Sequence, residues 1–404
     1  MGAVAQLLPI FVYFSASGHI LSRGEIMKRL IVIIALLFSV ASASILIGAG
    51  MGTEVDTDVS YILIEADTRS VLDSQNPDLP RNAGYMSKLM SLLLIAEDID
   101  SGKYSLADEL TASQSVAGTK GSVVWLQPGD TMTVDELIKS VAVGNANDAL
   151  TVLAERSEGT IEDFVIRMNT EAFDLGLRDT SFYSPYGYYD ERENTTANDI
   201  ALVCAELSKY SFMTDYFAIW RDFIRNDTYE LVNENSLSRT YDKHIGFKAC
   251  HSEQAGYCFA EGGRSEDGTC YIAVVLGGKD YDYAEKLAKK LCNKGFSDYK
   301  VTVTMFPDEM LAPLKVRNGE QSAVMMKIEE QSSLVIPRNS GELKTVVVLP
   351  DYVNAPVYRG QRVGSAAFFN GKTLVYESDI IACEDVKAMN YCYVLKKMLS
   401  KLIE

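Results

Sequence analysis

Lys88 follows Tyr85 by three positions in Tyr85-Met86-Ser87-Lys88, a spacing that puts a phenol and an amine on one face of a helix. A phenol titrates near about 10 and an adjacent amine lowers that value, so a tyrosine nucleophile is one reading. Its oxygen lies at the far end of the ring, several bonds from the backbone, which counts against its use as a nucleophile. Ser87 adjoins Lys88 and therefore stands about 100° around the helix from it. Cys250 beside His251 suggests an activated thiol, because an imidazolium lowers a thiol pKa. Adjacent strand residues point to opposite faces, which separates that pair. The literal Ser297 to Lys300 S-x-x-K spacing falls between two predicted elements and reads as coincidence. There are three histidines (His19, His244, His251), none paired at ligand spacing, and seven cysteines without a C-x-x-C step. Zinc, thioredoxin-like and histidine-triad chemistry are disfavoured, and no metal or cofactor is expected.

The elements that must position these groups follow from periodicity. Val59 to Glu65 and Val71-Leu72 read as strands around a turn. Lys88–Ile99, Thr133–Ser140, Asn147–Arg156, Ile161–Leu175 and Thr195–Leu207 read as helices, with Gly176 at a C-cap and Thr195 or Thr196 at an N-cap. Three β segments near 244–250, 256–261 and 270–277 precede a helix over Tyr283–Cys292, giving an α+β domain. After Phe296 short β runs alternate with turns: Val301–Met305, Ser322–Ile328, Leu343–Leu349, Ser365–Phe369 and Lys372–Tyr376. The tail from Val386 to Ile403 is an amphipathic helix carrying Lys396, Lys397 and Lys401, suited to a membrane surface or to its own domain. Trp125, in Val123-Val124-Trp125-Leu126, is expected in the core, and Tyr186 to Tyr189 either line a groove or pack half-buried.

At 404 residues the chain has room for two or three domains. Thirty-eight basic against 55 acidic residues leave a net charge of -17, which repels a phosphate backbone and argues against nucleic acid. Residues 27–43 combine Met27-Lys28-Arg29, an apolar run from Leu30 to Val40 and Ala41-Ser42-Ala43, the three parts of an export signal. A retained anchor is the rival, since the apolar run resumes at Ile45-Leu46-Ile47. Residues 1–26 read as an extension ahead of the true start at Met27. Gly48, Gly50 and Gly52 miss the G-x-G-x-x-G spacing by one residue, so 44–57 reads as a linker. Boundaries are then expected at 58–299, 300–382 and 383–404, for an α+β domain, a β domain and the tail helix.

Taken in order, Phe164-Val165-Ile166-Arg167-Met168-Asn169, Leu175-Gly176-Leu177 with Thr180-x-Phe182, and Ser184-Pro185-Tyr186-Gly187 form a specific set. Thr196-Ala197-x-Asp199-x-Ala201, Ala255-Gly256-Tyr257-Cys258, Val274-Val275-Leu276-Gly277 and Ala355 to Gly364 extend it. From about Val59 to Lys387 the chain resembles the serine D-alanyl-D-alanine carboxypeptidases among the low-molecular-weight penicillin-binding proteins. The resemblance implies an α+β penicillin-binding/β-lactamase-like transpeptidase domain, an antiparallel sheet with a helical cluster, followed by a small all-β domain and a C-terminal amphipathic helix. It also implies three motifs. In an S-x-x-K step the lysine takes the serine's proton; a Ser-x-Asn loop relays protons and holds substrate; a Lys-Thr-Gly strand receives the peptide's carboxylate end.

Each motif is altered. Tyr85 stands at the nucleophile position while Lys88 persists. Asn145-Ala146-Asn147 keeps the substrate asparagine, Asn147, but Asn145 replaces the serine, and an amide cannot relay a proton as a hydroxyl does. Lys248-Ala249-Cys250 keeps the lysine and loses threonine and glycine, with His251 and Ser252 following. Three losses together imply a non-catalytic, extracytoplasmic protein that binds peptidoglycan stem peptides or scaffolds other cell-wall proteins, with Lys88 and Lys248 as a cationic pocket. Two alternatives stay open: an active carboxypeptidase with an unanticipated nucleophile, and a structural envelope protein. Cys250, Cys258 and Cys270 sit on neighbouring β segments, where two could bond outside the cytoplasm.

Overall fold

Alternation of buried side chains builds the central sheet of this computed structural model, which describes residues 59–401 apart from 83, 304–310, 331 and 342. Ile62, Ile64, Ile272, Val274 and Leu276 join one apolar core, while Leu63, Ala273 and Val275 join another on the opposite face. A strand buried on both faces produces this period of two. The sheet is antiparallel, in the order β2-β1-β9-β8-β7, from β1 (Ser60–Glu65), β2 (Val71–Gln75), β7 (His244–Ser252), β8 (Gly256–Arg264) and β9 (Cys270–Gly278).

The helical cluster occupies the first face. It comprises α1 (Ser87–Asp100), α2 (Val134–Ala142), α3 (Asn147–Glu158), α4 (Ile161–Asp174), α5 (Ala197–Leu207), α6 (Ser211–Ala218) and the single turn α7 (Leu237–Thr240). Hairpins β3/β4 (Glu109–Thr111, Thr131–Thr133) and β5/β6 (Arg221–Ile224, Tyr229–Val232) edge this cluster. Thr133, Thr160 and Thr196 cap α2, α4 and α5 by accepting the backbone N–H three residues on. Against the other face lies α8 (Tyr281–Asp298), six residues longer at its C-terminal end than its apolar spacing predicts. Gly295 permits the approach: a Cβ there would meet the Tyr271 ring at 2.5 Å.

Beyond α8 come a β10–β14 pair (Tyr299–Val303, Ser333–Pro337) and two small sheets. One runs β12-β11-β16 (Ala323–Val324, Leu314–Arg317, Val353–Asn354). The other runs β13-β18-β17-β15 (Met326–Ile328, Thr373–Ala382, Arg362–Asn370, Lys344–Val348). Val324, Phe368 and Ile380 fill their common core. The class is α+β followed by all-β.

Two expectations need correction. The run Ser322–Ile328 is split between two sheets. The tail helix, α9, spans Tyr391–Lys401 rather than starting at Val386, because Val386 is held as a β-bridge to Val357 and Ala388 as one to Gly319. The Tyr393 hydroxyl ties α9 to Glu320 O at 2.7 Å, while Leu395, Met398 and Leu399 stay exposed; Leu402 and Ile403 lie outside the described residues. Among those residues no helix is long and apolar enough to cross a membrane. The export signal, its rival anchor and the 44–57 linker also fall outside them.

Candidate active site

A three-residue 3-10 turn, Gly84–Met86, leads into α1 and carries Tyr85 over the start of that helix. Lys88, one residue inside α1, is fully buried, and its Nζ donates to Asn145 O at 2.8 Å and to Asn145 Oδ1 at 2.6 Å. Burial, reinforced by the nearby Lys248, pushes the Lys88 amine well below the ordinary lysine range. The two Asn145 oxygens accept from that amine. Nζ lies 5.0 Å from the centre of the Tyr85 ring, and among the described residues no hydrogen bond joins the phenol to the amine. The base is present, and the group beside it is the face of an aromatic ring.

Ser87 points elsewhere, as its place on the helix requires. Its Oγ donates to Gly84 O at 3.0 Å and lies 2.5 Å from Glu193 Oε1. The single hydroxyl proton is shared between Gly84 O and the Glu193 carboxyl. Burial pushes Glu193 up from 4.5 to about 7 against the opposing hydrogen bond from Ser87. Glu193 Oε2 has no partner. A carboxyl whose pKa rises on folding favours the native state at low pH and loses that contribution as pH climbs from 4.5 through about 7. The expected loss is about 3 kcal/mol. Thermal melts should show it in the wild type, and Glu193→Gln, which keeps the bond without titrating, should flatten that part of the profile.

The turn cannot drift, because Gly187 (φ +78°) presses against it: a Cβ there would stand 2.0 Å from Gly84 O. Next along, Tyr188 reaches Lys120 O at 2.7 Å, Tyr186 bonds Thr151 in the core, and Tyr189 is exposed.

Asn145 sits just before α3 with φ +59°, a left-handed conformation that asparagine tolerates. Asn147 opens α3 and is buried; its Nδ2 donates to Lys120 O at 2.7 Å, and its Oδ1 has no partner. Asp148 then shapes the facing loop. Its two oxygens accept Val124 N at 3.0 Å and Leu126 N at 2.9 Å, with Trp125 between them at φ +59°. A bulky residue in that region is a genuine backbone outlier. Trp125 is thereby turned outward and is 66% exposed, which corrects its expected place in the core.

Strand β7 supplies the opposite wall. Lys248 and Cys250 face the helical cluster, Ala249 packs with Phe259 toward α8, and the exposed His251 stacks on Tyr257 at 4.2 Å. His251 and Cys250 thus lie on opposite faces. Lys248 is 5% exposed and has no hydrogen-bond partner among the described residues; burial pushes its pKa down, offset in part by Glu234.

Between these walls runs a cleft of about 330 Å³ lined by Tyr85, Ser122, Asn145, Glu234, Ala249, Cys250, His251 and Tyr281. Lys88 lies beneath Asn145 and Lys248 beneath the β7 wall, and neither is in the lining, so the expected two-lysine pocket does not form the cleft surface. Glu234, Tyr281, Ser122 and Glu193 were not foreseen. Ser122 follows a Gly121 turn that could have flagged it; Glu234 carried no sequence signal. Ser297 lies in the last turn of α8 and Lys300 sits in β10, bonded to Ser340 O at 3.3 Å, so that S-x-x-K pair does not share a helix.

Comparison with known proteins places this geometry. The family described as D-alanyl-D-alanine carboxypeptidase matches residues 52–280, and the C-terminal domain of penicillin-binding protein 5 matches 297–388. The chain is 31% identical over 345 residues to the D-alanyl-D-alanine carboxypeptidase DacF of Bacillus subtilis, covering 84% of this chain and 88% of that one. It is 27% identical over 389 residues to DacA of Escherichia coli K12, covering 91% and 94%. Penicillin-binding protein 5 from Haemophilus influenzae shares the fold at a TM-score of 0.75 and 23% identity, over 84% of this chain and all of that one. With its sheet, helical cluster and trailing β domain so matched, this chain belongs to the D-alanyl-D-alanine carboxypeptidase family.

Proposed function

We propose that this chain is an exported, two-domain (58–299 and 300–382), non-catalytic member of its family that binds peptidoglycan stem peptides at the cell envelope. The observation that carries the reading is the state of Lys88, whose amine is engaged by both oxygens of Asn145 and faces the Tyr85 ring. An amine poised to accept a proton has no hydroxyl beside it to deprotonate. Cys250 stands where a glycine would leave room for substrate, and Ala249 offers no hydroxyl for a carboxylate.

Binding has better support than chemistry. Lys248, which has no hydrogen-bond partner among the described residues and feels Glu234 only through its charge, is a donor suited to the terminal carboxylate of a D-alanyl-D-alanine peptide. The unpaired Oδ1 of Asn147 is a second unused group for a peptide N–H. The exposed apolar side of α9, with Lys396 and Lys397 on the same helix, fits contact with a membrane surface.

The test is calorimetric titration of a stem-peptide mimic ending in D-alanyl-D-alanine into the wild type and Lys248→Ala. Loss of a charge-assisted bond of about 2 kcal/mol predicts roughly thirtyfold weaker binding in the variant. Equal affinity would remove the pocket from the proposal. Release of D-alanine by the wild type, absent in Tyr85→Phe, would overturn its non-catalytic part.

A further inference from the structure

Cys250 and Cys258 occupy directly opposed positions on β7 and β8, on the face that packs toward the helical cluster. Opposed residues of an antiparallel pair have Cα atoms about 4.5 or 5.5 Å apart, and disulfides span Cα distances of about 4.4–6.8 Å. Both side chains leave the sheet in the same direction, so bridging them requires no movement of the strands past one another. Both are thiols in the structure; Cys258 Sγ donates to Ala255 O at 3.3 Å. Cys270 is excluded as the partner. It lies opposite Arg264, six residues along β8 from Cys258, or about 20 Å. Cys250 also lines the cleft, whereas Cys258 is 1% exposed behind it. Cys250 is itself only 7% exposed, so the two thiols differ in position rather than in open access: one borders the cleft and the other lies behind it.

We propose that Cys250 and Cys258 form a covalent modification site, a cross-strand dithiol that a low-molecular-weight disulfide oxidises in the floor of the cleft. The Cys250 thiolate attacks one sulfur of the external disulfide, forming a mixed disulfide and expelling one thiolate, which takes up the proton Cys250 released. The Cys258 thiolate then attacks the Cys250 sulfur, closing the internal bond and expelling the second thiolate, which takes up the Cys258 proton. Two protein thiols are oxidised and one external disulfide is reduced to two thiols. The product fixes β7 to β8 two residues from Lys248 and removes the thiol from the cleft floor. The inference stands on strand register and does not depend on whether the site is catalytic.

The experiment uses the full chain, reduced and then incubated with oxidised glutathione, with intact mass and a non-reducing peptide map as readouts. The expected product is lighter by two hydrogen atoms, has its 250 and 258 peptides joined, and reverts with dithiothreitol. In Cys258→Ser the second step is impossible, so a stable glutathione adduct on Cys250 is expected; Cys258→Ala serves the same purpose should the serine variant fail to fold. Recovery of both residues as free thiols, either one bonded to another cysteine, or a persistent glutathione adduct on the wild type would overturn the proposal. An unmodified Cys250 in the Cys258 variants would overturn entry through the cleft.

Discussion

Changing the four altered positions together, as Tyr85→Ser, Asn145→Ser, Ala249→Thr and Cys250→Gly, is expected to give a chain that penicillin acylates stoichiometrically, where the wild type is expected to stay unlabelled. Each substitution answers a specific contact. Serine at 85 sets a hydroxyl three residues before Lys88, on its face of the helix. Removing the Asn145 carboxamide takes away the acceptor 2.6 Å from Nζ, leaving the amine a weaker hold and a free direction toward the new hydroxyl. Threonine at 249 and glycine at 250 restore a hydroxyl and open the wall of the cleft. Loss of a nucleophile costs up to about a millionfold in rate, so the quadruple variant should gain at least about a thousandfold in acylation. Tyr85→Ser alone should gain far less, because Asn145 still holds the base. Serine at 145 must adopt φ near +59°, at a cost of about 1 kcal/mol, so a melt accompanies each variant. Intact-mass measurement after exposure to a penicillin reads the result. An adduct on the wild type would end the non-catalytic reading; a folded quadruple variant without one would show that the decay extends beyond these four residues.

The second large effect concerns the scaffold behind Lys88. Asp98, near the end of α1 and 4% exposed, accepts from Arg167 Nη1 at 2.7 Å and Ser157 Oγ at 2.6 Å, and more weakly from Tyr104 and Lys103. Those partners come from α3, α4 and the segment after α1, so one carboxylate fastens the C-terminal end of the helix that carries the base. Asp98→Ala removes the acceptor shared by Arg167 and Ser157 but leaves the guanidinium on Glu158 at 2.9 Å and Glu97 at 3.2 Å, so a loss of about 2–3 kcal/mol is expected. Urea unfolding should show the midpoint fall by that free energy divided by the slope, with little change in the slope itself. Lys286→Ala, which breaks the exposed pair with Asp282, should change stability by less than about 1 kcal/mol. Equal effects from the two would contradict the assignment of Asp98 as the anchor.

Most of the scaffold was legible because it rests on local rules. β-rich runs bounded by turns marked β1, β7, β8 and β9, and Thr196, one of the two residues expected to cap its helix, does so by accepting Asp199 N. The motif positions were legible as residue types, and the turn before α1 brings Tyr85 and Lys88 together as their spacing implies. What escaped depends on partners distant in sequence. Val123-Val124-Trp125-Leu126 looks like core until a carboxylate more than twenty residues on seizes the amides flanking the tryptophan. Glu193 bonds Ser87 across 106 positions, which no local pattern encodes. The β5/β6 hairpin was missed because Arg225, Asn226 and Asp227 all take positive φ without a glycine among them. The tail helix began late because β-bridges outcompeted its first turn.

The outward turn of Trp125 also sets what light can report about this molecule. The chain holds two tryptophans, and the second, Trp220, is 39% exposed beneath the Arg239 guanidinium. The aromatic mass of the interior is phenylalanine and tyrosine, so no indole senses the core. Indole emission from this protein starts out solvent-relaxed and changes little when the fold melts, which makes it a poor witness to denaturation. Trp125 is three residues from Ser122 in the cleft wall, and its emission is an optical gauge of that loop.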